Sequence, residues 1–237
     1  MHRLIGQRVE GVLLFLLILS LSIWTYQRNG LWKSEMELWK DCVRKSPEKE
    51  RPHHNLGFVY YELGRWEDAK KEFEESLRLN PQFDLSMYNL GLVYYRKGLM
   101  DEAIDCYQNA IELNPRFPDS FYNLGLAYSH QGRYREAIMA YEELLKLKQD
   151  YANAHHHLGL AYKKSEQPEK AIQSFQEELR VHPENSYAHL YLGEVYLEAK
   201  NYPKAVAHFK KALKDSNFPD AERIRKVLSS LETNLKR

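Results

Sequence analysis

Five glycines, Gly57, Gly91, Gly125, Gly159 and Gly193, stand 34 residues apart without a slip, a period that restricts the chain to a stack of similar units. Other columns keep the same register. Leu56, Leu90, Leu124, Leu158 and Leu192 directly precede the glycines, and Tyr60, Tyr94, Tyr128, Tyr162 and Tyr196 follow three residues after them. Twelve residues after each glycine come Ala69, Ala103, Ala137, Ala171 and Ala205, and four residues further on Phe73, Tyr107, Tyr141, Phe175 and Phe209. Such steps mark helical faces, so each unit reads as two helices of about 12 to 14 residues joined by a short turn. Gly64, Gly98 and Gly132 fall between the two helices of the first three units, while Asn80-Pro81, Asn114-Pro115 and His182-Pro183 stop the second helix.

The run L-G-x-x-Y, then A-x-x-x-(F/Y), then N-P, at this period resembles the tetratricopeptide repeat. The resemblance implies an all-α fold: a right-handed α-solenoid of helix-turn-helix repeats over 50–219, divided as 50–83, 84–117, 118–151, 152–185 and 186–219. Departures are local. Gln149 stands where proline is expected, Glu166 and Lys200 stand where the turn glycine is expected, and the tryptophan often found early in the first helix is absent. The glycine and alanine columns let the two helices of a pair approach closely, and the aromatic columns fill the space between a pair and its neighbour. These columns are therefore structural. An open stack needs covered ends, and residues 220–237 supply one: Ala221, Ile224, Val227, Leu228, Leu231 and Leu235 form an apolar stripe expected as a C-terminal capping helix.

At the other end, residues 31–49 read as a half repeat with only the second helix, since Trp39 falls in the Phe73 column and Pro47 in the Pro81 column. In place of its partner helix, within the segment 1–30, stands an uncharged, strongly apolar stretch at about 11–27, expected as an N-terminal hydrophobic helix. Those 17 residues would span ~26 Å as a helix, against a hydrocarbon core of ~30 Å. Trp24, Tyr26 and Trp32 cluster at its end, where aromatic rings favour a membrane interface. An uncleaved single-pass anchor is the expectation; a signal peptide, with Arg3 and Arg8 ahead of the run and Ser20-Leu21-Ser22 as a cleavage site, is the rival. A buried cap helix would leave a greasy surface on an open end. Residues 26–35, leading through Trp39 and Pro47 to His54-Asn55-Leu56-Gly57, resemble the junction in multispanning, glycosyltransferase-like transmembrane-and-tetratricopeptide proteins. That resemblance implies repeats on the extracytoplasmic side and a catalytic portion that this chain lacks.

Chemistry of other kinds is not signalled. The net charge of +1, from 34 basic and 33 acidic residues interleaved along the helices, argues against nucleic acid as a partner. Cys42 and Cys106 fall on second helices two units apart, too far to bridge, and read as small buried fillers. His155, His156 and His157 are consecutive on a helix, so their rings point about 100° apart and do not converge on a metal ion. With no phosphate loop and no nucleophile motif, neither enzyme activity nor a cofactor is expected.

The candidate site is the concave face, which in the resembling family is lined by the first helix of each pair. Asn55, Asn89 and Asn123 recur two positions before the glycine, continued by His157 and Tyr191. An amide both donates and accepts, so such a row can pair with the backbone of an extended peptide, and it resembles the asparagine ladder of the O-linked N-acetylglucosamine transferase superhelix. The other reading is that asparagine there simply caps or solvates the groove. Beside the row stand His54, Tyr88, Tyr122 and His156, and one turn on Phe58, Leu92 and Leu126, followed by Leu160 and Glu194. His54 and Phe58 replace the first two members of the carboxylate clamp of chaperone-binding repeats, so a chaperone tail is not the expected ligand. Apolar and aromatic groove residues suit a peptide with apolar anchors. The sequence thus points to a membrane-anchored scaffold holding a protein or peptide partner, with a substrate-presenting part of a membrane O-glycosyltransferase as the alternative and self-association as a third reading.

Overall fold

A computed structural model describes residues 19–20, 35–215 and 217–235, and all its regular structure is helical. Residues 35–45 form α1, followed by α2 (Glu50–Glu62), α3 (Trp66–Leu79), α4 (Asp84–Arg96), α5 (Met100–Leu113), α6 (Pro118–His130) and α7 (Tyr134–Leu147). Then come α8 (Ala154–Lys164), α9 (Pro168–Val181), α10 (Ser186–Glu198), α11 (Tyr202–Ala212) and α12 (Ala221–Leu235). The chain divides into two compact units, the first ending at Val93 and the second beginning at Tyr94.

In the first unit, α2 packs on α3 through a contact that only glycine permits: a Cβ at Gly57 would lie 2.9 Å from the Phe73 ring. Ala69 and Phe73 are wholly buried there. The second unit repeats the device. A Cβ at Gly125, Gly159 or Gly193 would come within 2.5, 2.7 or 2.5 Å of Tyr141, Phe175 or Phe209 respectively. Real Cβ atoms do not approach so closely, so the period in glycine and the period in aromatic residues are two halves of one contact. Each buried tyrosine three residues after the glycine also carries a cation over its ring: Arg65 at 4.4 Å from Tyr60, Arg133 at 4.4 Å from Tyr128, Lys170 at 5.2 Å from Tyr162 and Lys204 at 5.1 Å from Tyr196.

The turns within pairs need a left-handed residue, and Gly64, Gly98 and Gly132 supply it with φ of 72°, 76° and 73°. Glu166 and Lys200 hold the same conformation at 60° and 58°, a strain of roughly 1–2 kcal/mol each. Between pairs, Asn80 and Asn114 accept from the backbone N–H two residues on, fixing the exit from α3 and α5. Lys148 cannot do this and Gln149 lacks the fixed φ of proline. The chain there takes a different path through Asn153, at φ 62°, and α8 begins at Ala154 with 11 residues, where α2, α4, α6 and α10 have 13. At the C-terminal end, α12 buries Ala221, Ile224, Leu228 and Leu231, at roughly 1.5–3 kcal/mol for each large side chain, while Phe218 packs edge-on against Tyr187.

The expected membrane localisation is corrected. Among the described residues no helix is long and apolar enough to cross a membrane. The longest helix with described bounds, α12, has 15 residues and carries charges along one side, against the ~20 apolar residues that a span requires. Of the stretch at 11–27 only Leu19 and Ser20 are described, and the remainder of that expectation lies outside the described residues. The single-pass anchor, the membrane as partner and the extracytoplasmic side are therefore not carried forward.

Candidate functional site

The first helices of the pairs carry the predicted site residues, and the two units place them differently. In the first unit, the His54 ring lies 5.0 Å from Phe83 and 5.8 Å from Phe73. Its Nδ1 is 3.0 Å from Ser86 Oγ, which is 2.7 Å from Ser76 Oγ. Burial pushes the His54 pKa down to about 4, so the ring is neutral and serves as a packing group with one polar link. Asn55, Tyr88 and Leu92 are half-buried, Asn89 is buried, and Phe58 is 41% exposed. Phe58 thus presents the largest apolar surface of the predicted set in this unit.

In the second unit, aromatic residues of one first helix lean on those of the next. The Tyr122 ring lies 5.6 Å from His157, and the His156 ring 5.4 Å from Tyr191. His157 stacks on Tyr141 at 6.0 Å, and Tyr191 stacks on Phe175 at 5.7 Å. Burial holds the His156 pKa below its usual range, lowers His157 to about 4 with help from neighbouring His156, and raises the hydroxyls of Tyr122 and Tyr191. These rings are neutral near pH 7 and behave as apolar surface. Asn123 donates from Nδ2 to the Asp119 carbonyl at 2.9 Å, one turn back on its own helix, and Leu126 beside it is half-buried. The three consecutive histidines diverge: His155 faces the Gln149 carbonyl at 3.1 Å, and the rings of His156 and His157 stand at 85°. Among the described residues no group of three His, Cys, Asp or Glu could hold a metal ion, and Cys42 and Cys106 are free thiols.

A cleft of about 400 Å³ opens in this unit where α6, α7, α8, α10 and α12 come together. His157 and Tyr191, from the column two before the glycine, line it with Leu160 and Glu194, from the column one after. Tyr134 adds an aromatic wall. Glu194 is bound by Lys163 from α8 and by Arg223 from α12. Lys163 also lies 3.4 Å from Glu198 and 5.8 Å from the Tyr191 ring centre, and Arg223 3.4 Å from Asp220. With side-chain exposures of 17% and 19%, Lys163 and Glu194 form a partly desolvated pair, stronger than an ion pair on open surface. An apolar floor beside fixed charges can seat an apolar side chain and orient a polar one next to it. Sequence columns contain His157, Leu160, Tyr191 and Glu194, so periodicity could have found them. Lys163, Tyr134 and Arg223 carry no such signal, because Arg223 lies beyond the last period and Lys163 has a tyrosine, Tyr95, as its counterpart two units earlier.

Paired helices, a glycine in the first that admits an aromatic ring of the second, and a left-handed residue between them define a protein built from helix-pair repeats. The chain belongs to the tetratricopeptide repeat family: family models match residues 59–98, 83–150, 119–184 and 156–222. Those matches begin past the membrane-protein junction at 26–57, which they leave without support. No curated protein matches this chain. Among solved structures, YrrB, described as a tetratricopeptide-repeat protein with an unusual peptide-binding site, is similar at 20% identity and a TM-score of 0.73, covering 81% of this chain and 99% of that one. MamA from Desulfovibrio magneticus RS-1 is similar at 23% identity and 0.68, with 72% and 97% covered. TTC0263, a protein of Thermus thermophilus, is similar at 25% and 0.53, with 78% and 99% covered.

Proposed function

We propose that this chain is a protein-interaction scaffold that holds an extended peptide segment of a partner against the first-helix face of its repeats. The observation that carries the reading is the cleft in which His157, Leu160, Tyr191 and Glu194, members of both groove columns, meet. Neutral rings and Leu160 supply the apolar seat, and the bound Glu194 supplies a fixed polar edge. The peptide-binding site named for YrrB, a protein of the same fold, supports the reading. Within each unit the predicted residues are the proposed contacts: Asn55 and Asn89 with Phe58, Leu92, His54 and Tyr88 in the first, and Asn123 with Leu126, Tyr122 and His156 in the second. No catalytic role is assigned.

Selection of a random-peptide display library on the full chain tests this. Enriched peptides are expected to lose affinity about tenfold or more on Leu160→Gln, the scale of an interface anchor, with helical content unchanged. Asn55→Ala, Asn89→Ala and Asn123→Ala together are expected to weaken the same peptides without lowering the melting temperature. Absence of any enriched peptide overturns the scaffold reading.

A further inference from the structure

The cleft does not end at Tyr134. A neighbouring cleft of about 340 Å³ shares Tyr134 and Lys164 with it and runs along the turns that follow α6 and α8, where Arg133, Arg135, Glu136 and Glu166 line its walls. Most charges along this continuous rim are already matched. Arg133 binds Glu136 at 2.9 Å, and Lys163 and Arg223 share Glu194. Glu198, 3.4 Å from Lys163, and Asp220, 3.4 Å from Arg223, line neither cleft. Two exposed cations, Lys164 at the end of α8 and Arg135 in the first turn of α7, have no ion pair or hydrogen bond among the described residues; the acids lining the same cleft are Glu166 and Glu136, and Glu136, though it feels Arg135, is bound by Arg133. Arg133, the N-cap residue of α7, makes no side-chain cap, so the partial positive charge of that helix terminus adds to the same side.

We propose that this rim selects acidic peptides, with a carboxylate side chain of the bound segment placed between Lys164 and Arg135 and an adjacent aromatic or aliphatic residue seated against Tyr134 and Leu160. The inference rests on the scaffold reading and adds the chemistry of the partner. Charge complementarity carries it, because a carboxylate completes the two unmatched cations, whereas a lysine or arginine would face them and find Glu194 already bound twice. Desolvated apolar contact supplies the hold, and the exposed charges supply selection and rate of encounter. Attraction of this kind is screened over ~10 Å at 0.1 M salt, so binding must weaken as salt rises.

The peptides enriched on the full chain provide the test. Enrichment of Asp or Glu next to an apolar residue is expected, with an affinity loss of about tenfold for Lys164→Glu/Arg135→Glu, little change for Lys164→Arg/Arg135→Lys, and a falling affinity between 50 and 300 mM salt. Lys71→Glu/Arg51→Glu, which changes the net charge equally at exposed positions of the first unit, is expected to leave binding unchanged. Enriched peptides that are neutral or basic, or that ignore Lys164→Glu/Arg135→Glu, overturn this inference while leaving the scaffold reading intact. Failure to enrich any peptide overturns both. A concentration-dependent dimer abolished by Lys164→Glu/Arg135→Glu would assign the rim to a second copy of the chain and overturn the peptide assignment.

Discussion

The first complete helix pair, α2–α3, and the last, α10–α11, make the same contacts with different chemistry. In both, a histidine four residues before the glycine reaches a proline carbonyl six residues upstream at 3.1 Å: His53 to Pro47 and His189 to Pro183. In both, the other ring nitrogen meets the residue 19 positions on. For His53 that residue is Glu72, at 2.7 Å, so both ring nitrogens face oxygen atoms. For His189 it is His208, Nδ1 to Nδ1 at 3.1 Å. Because the neutral His189 donates its Nε2–H to the Pro183 carbonyl, its Nδ1 accepts from the His208 Nδ1–H, and the bond between the two rings is lost once both are protonated. The comparison teaches that the repeat fixes which positions touch and leaves free what charge they carry.

The largest effect expected within this comparison tests what the two pairs share. A Cβ on Gly193 would lie 2.5 Å from two atoms of the Phe209 ring and a Cβ on Gly57 2.9 Å from two atoms of the Phe73 ring, and both rings are buried, at 2% and 0% exposure. Overpacking costs about 1–3 kcal/mol, and replacing a mid-helix glycine by alanine returns about 1 kcal/mol of helix propensity. Gly193→Ala is therefore expected to destabilise its pair by about 2 kcal/mol and Gly57→Ala by less, about 1 kcal/mol. Hydrogen exchange in α10–α11 and in α2–α3 reads each pair separately, as a repeat protein does not unfold as one unit. Equal losses at the two glycines would show that the closer approach at Gly193 has no energetic weight.

The next effect tests what the pairs do not share. Burial, reinforced by His189, Lys211 and Lys204, lowers the His208 pKa from 6.5 to about 4, and burial lowers His189 as well. Above pH 6.5 these rings are neutral whether the chain is folded or not. As the pH falls from 6.5 toward 4, the unfolded chain takes up protons that the folded pair refuses, so stability is lost across that window. His208→Glu rebuilds the arrangement of the first pair at the last. It is expected to reduce the loss between pH 7 and 5 by about 1 kcal/mol, once solvent screening of a half-exposed ring is allowed for. Urea unfolding at the two pH values measures it; an undiminished loss would assign the acid sensitivity to other buried histidines, His54 and His157.

Periodicity made the interior legible and the surface only partly so. Gly125 and Tyr141 stand 16 residues apart in a register repeated five times, and their contact is a matter of that register alone. Whether a neighbouring side chain faces the groove or the next helix depends on rotations of a few tens of degrees that no column records. His54 shows the consequence, since its ring sits against Phe83 and Ser86. The cleft was hidden for a different reason: Arg223 belongs to α12, which follows the last period, and its approach to Glu194 depends on how the final pair is covered. Gln149 did signal its irregular loop, but that the chain would turn at Asn153 and shorten α8 was not written in the departure itself.

The smallest effect separates the two turns. Gly64 carries φ of 72° in the first pair and Lys200 carries 58° in the last, and neither turn position has any packing role that a larger side chain could serve: a Cβ at Gly64 would meet nothing within 4 Å, and Lys200 is exposed. The difference between them is therefore one of backbone strain alone. Lys200→Gly removes the clash of Cβ with the following carbonyl, a gain of about 1 kcal/mol, and loses less than that to the greater freedom of glycine in the unfolded chain. A net stabilisation of roughly 0.5 kcal/mol is expected for Lys200→Gly and a loss of similar size for Gly64→Ala. Opposite signs at equivalent positions, read in one set of urea curves, would establish that the last turn keeps its lysine against the preference of its own backbone; equal signs would place the cause in Lys200 side-chain contacts instead.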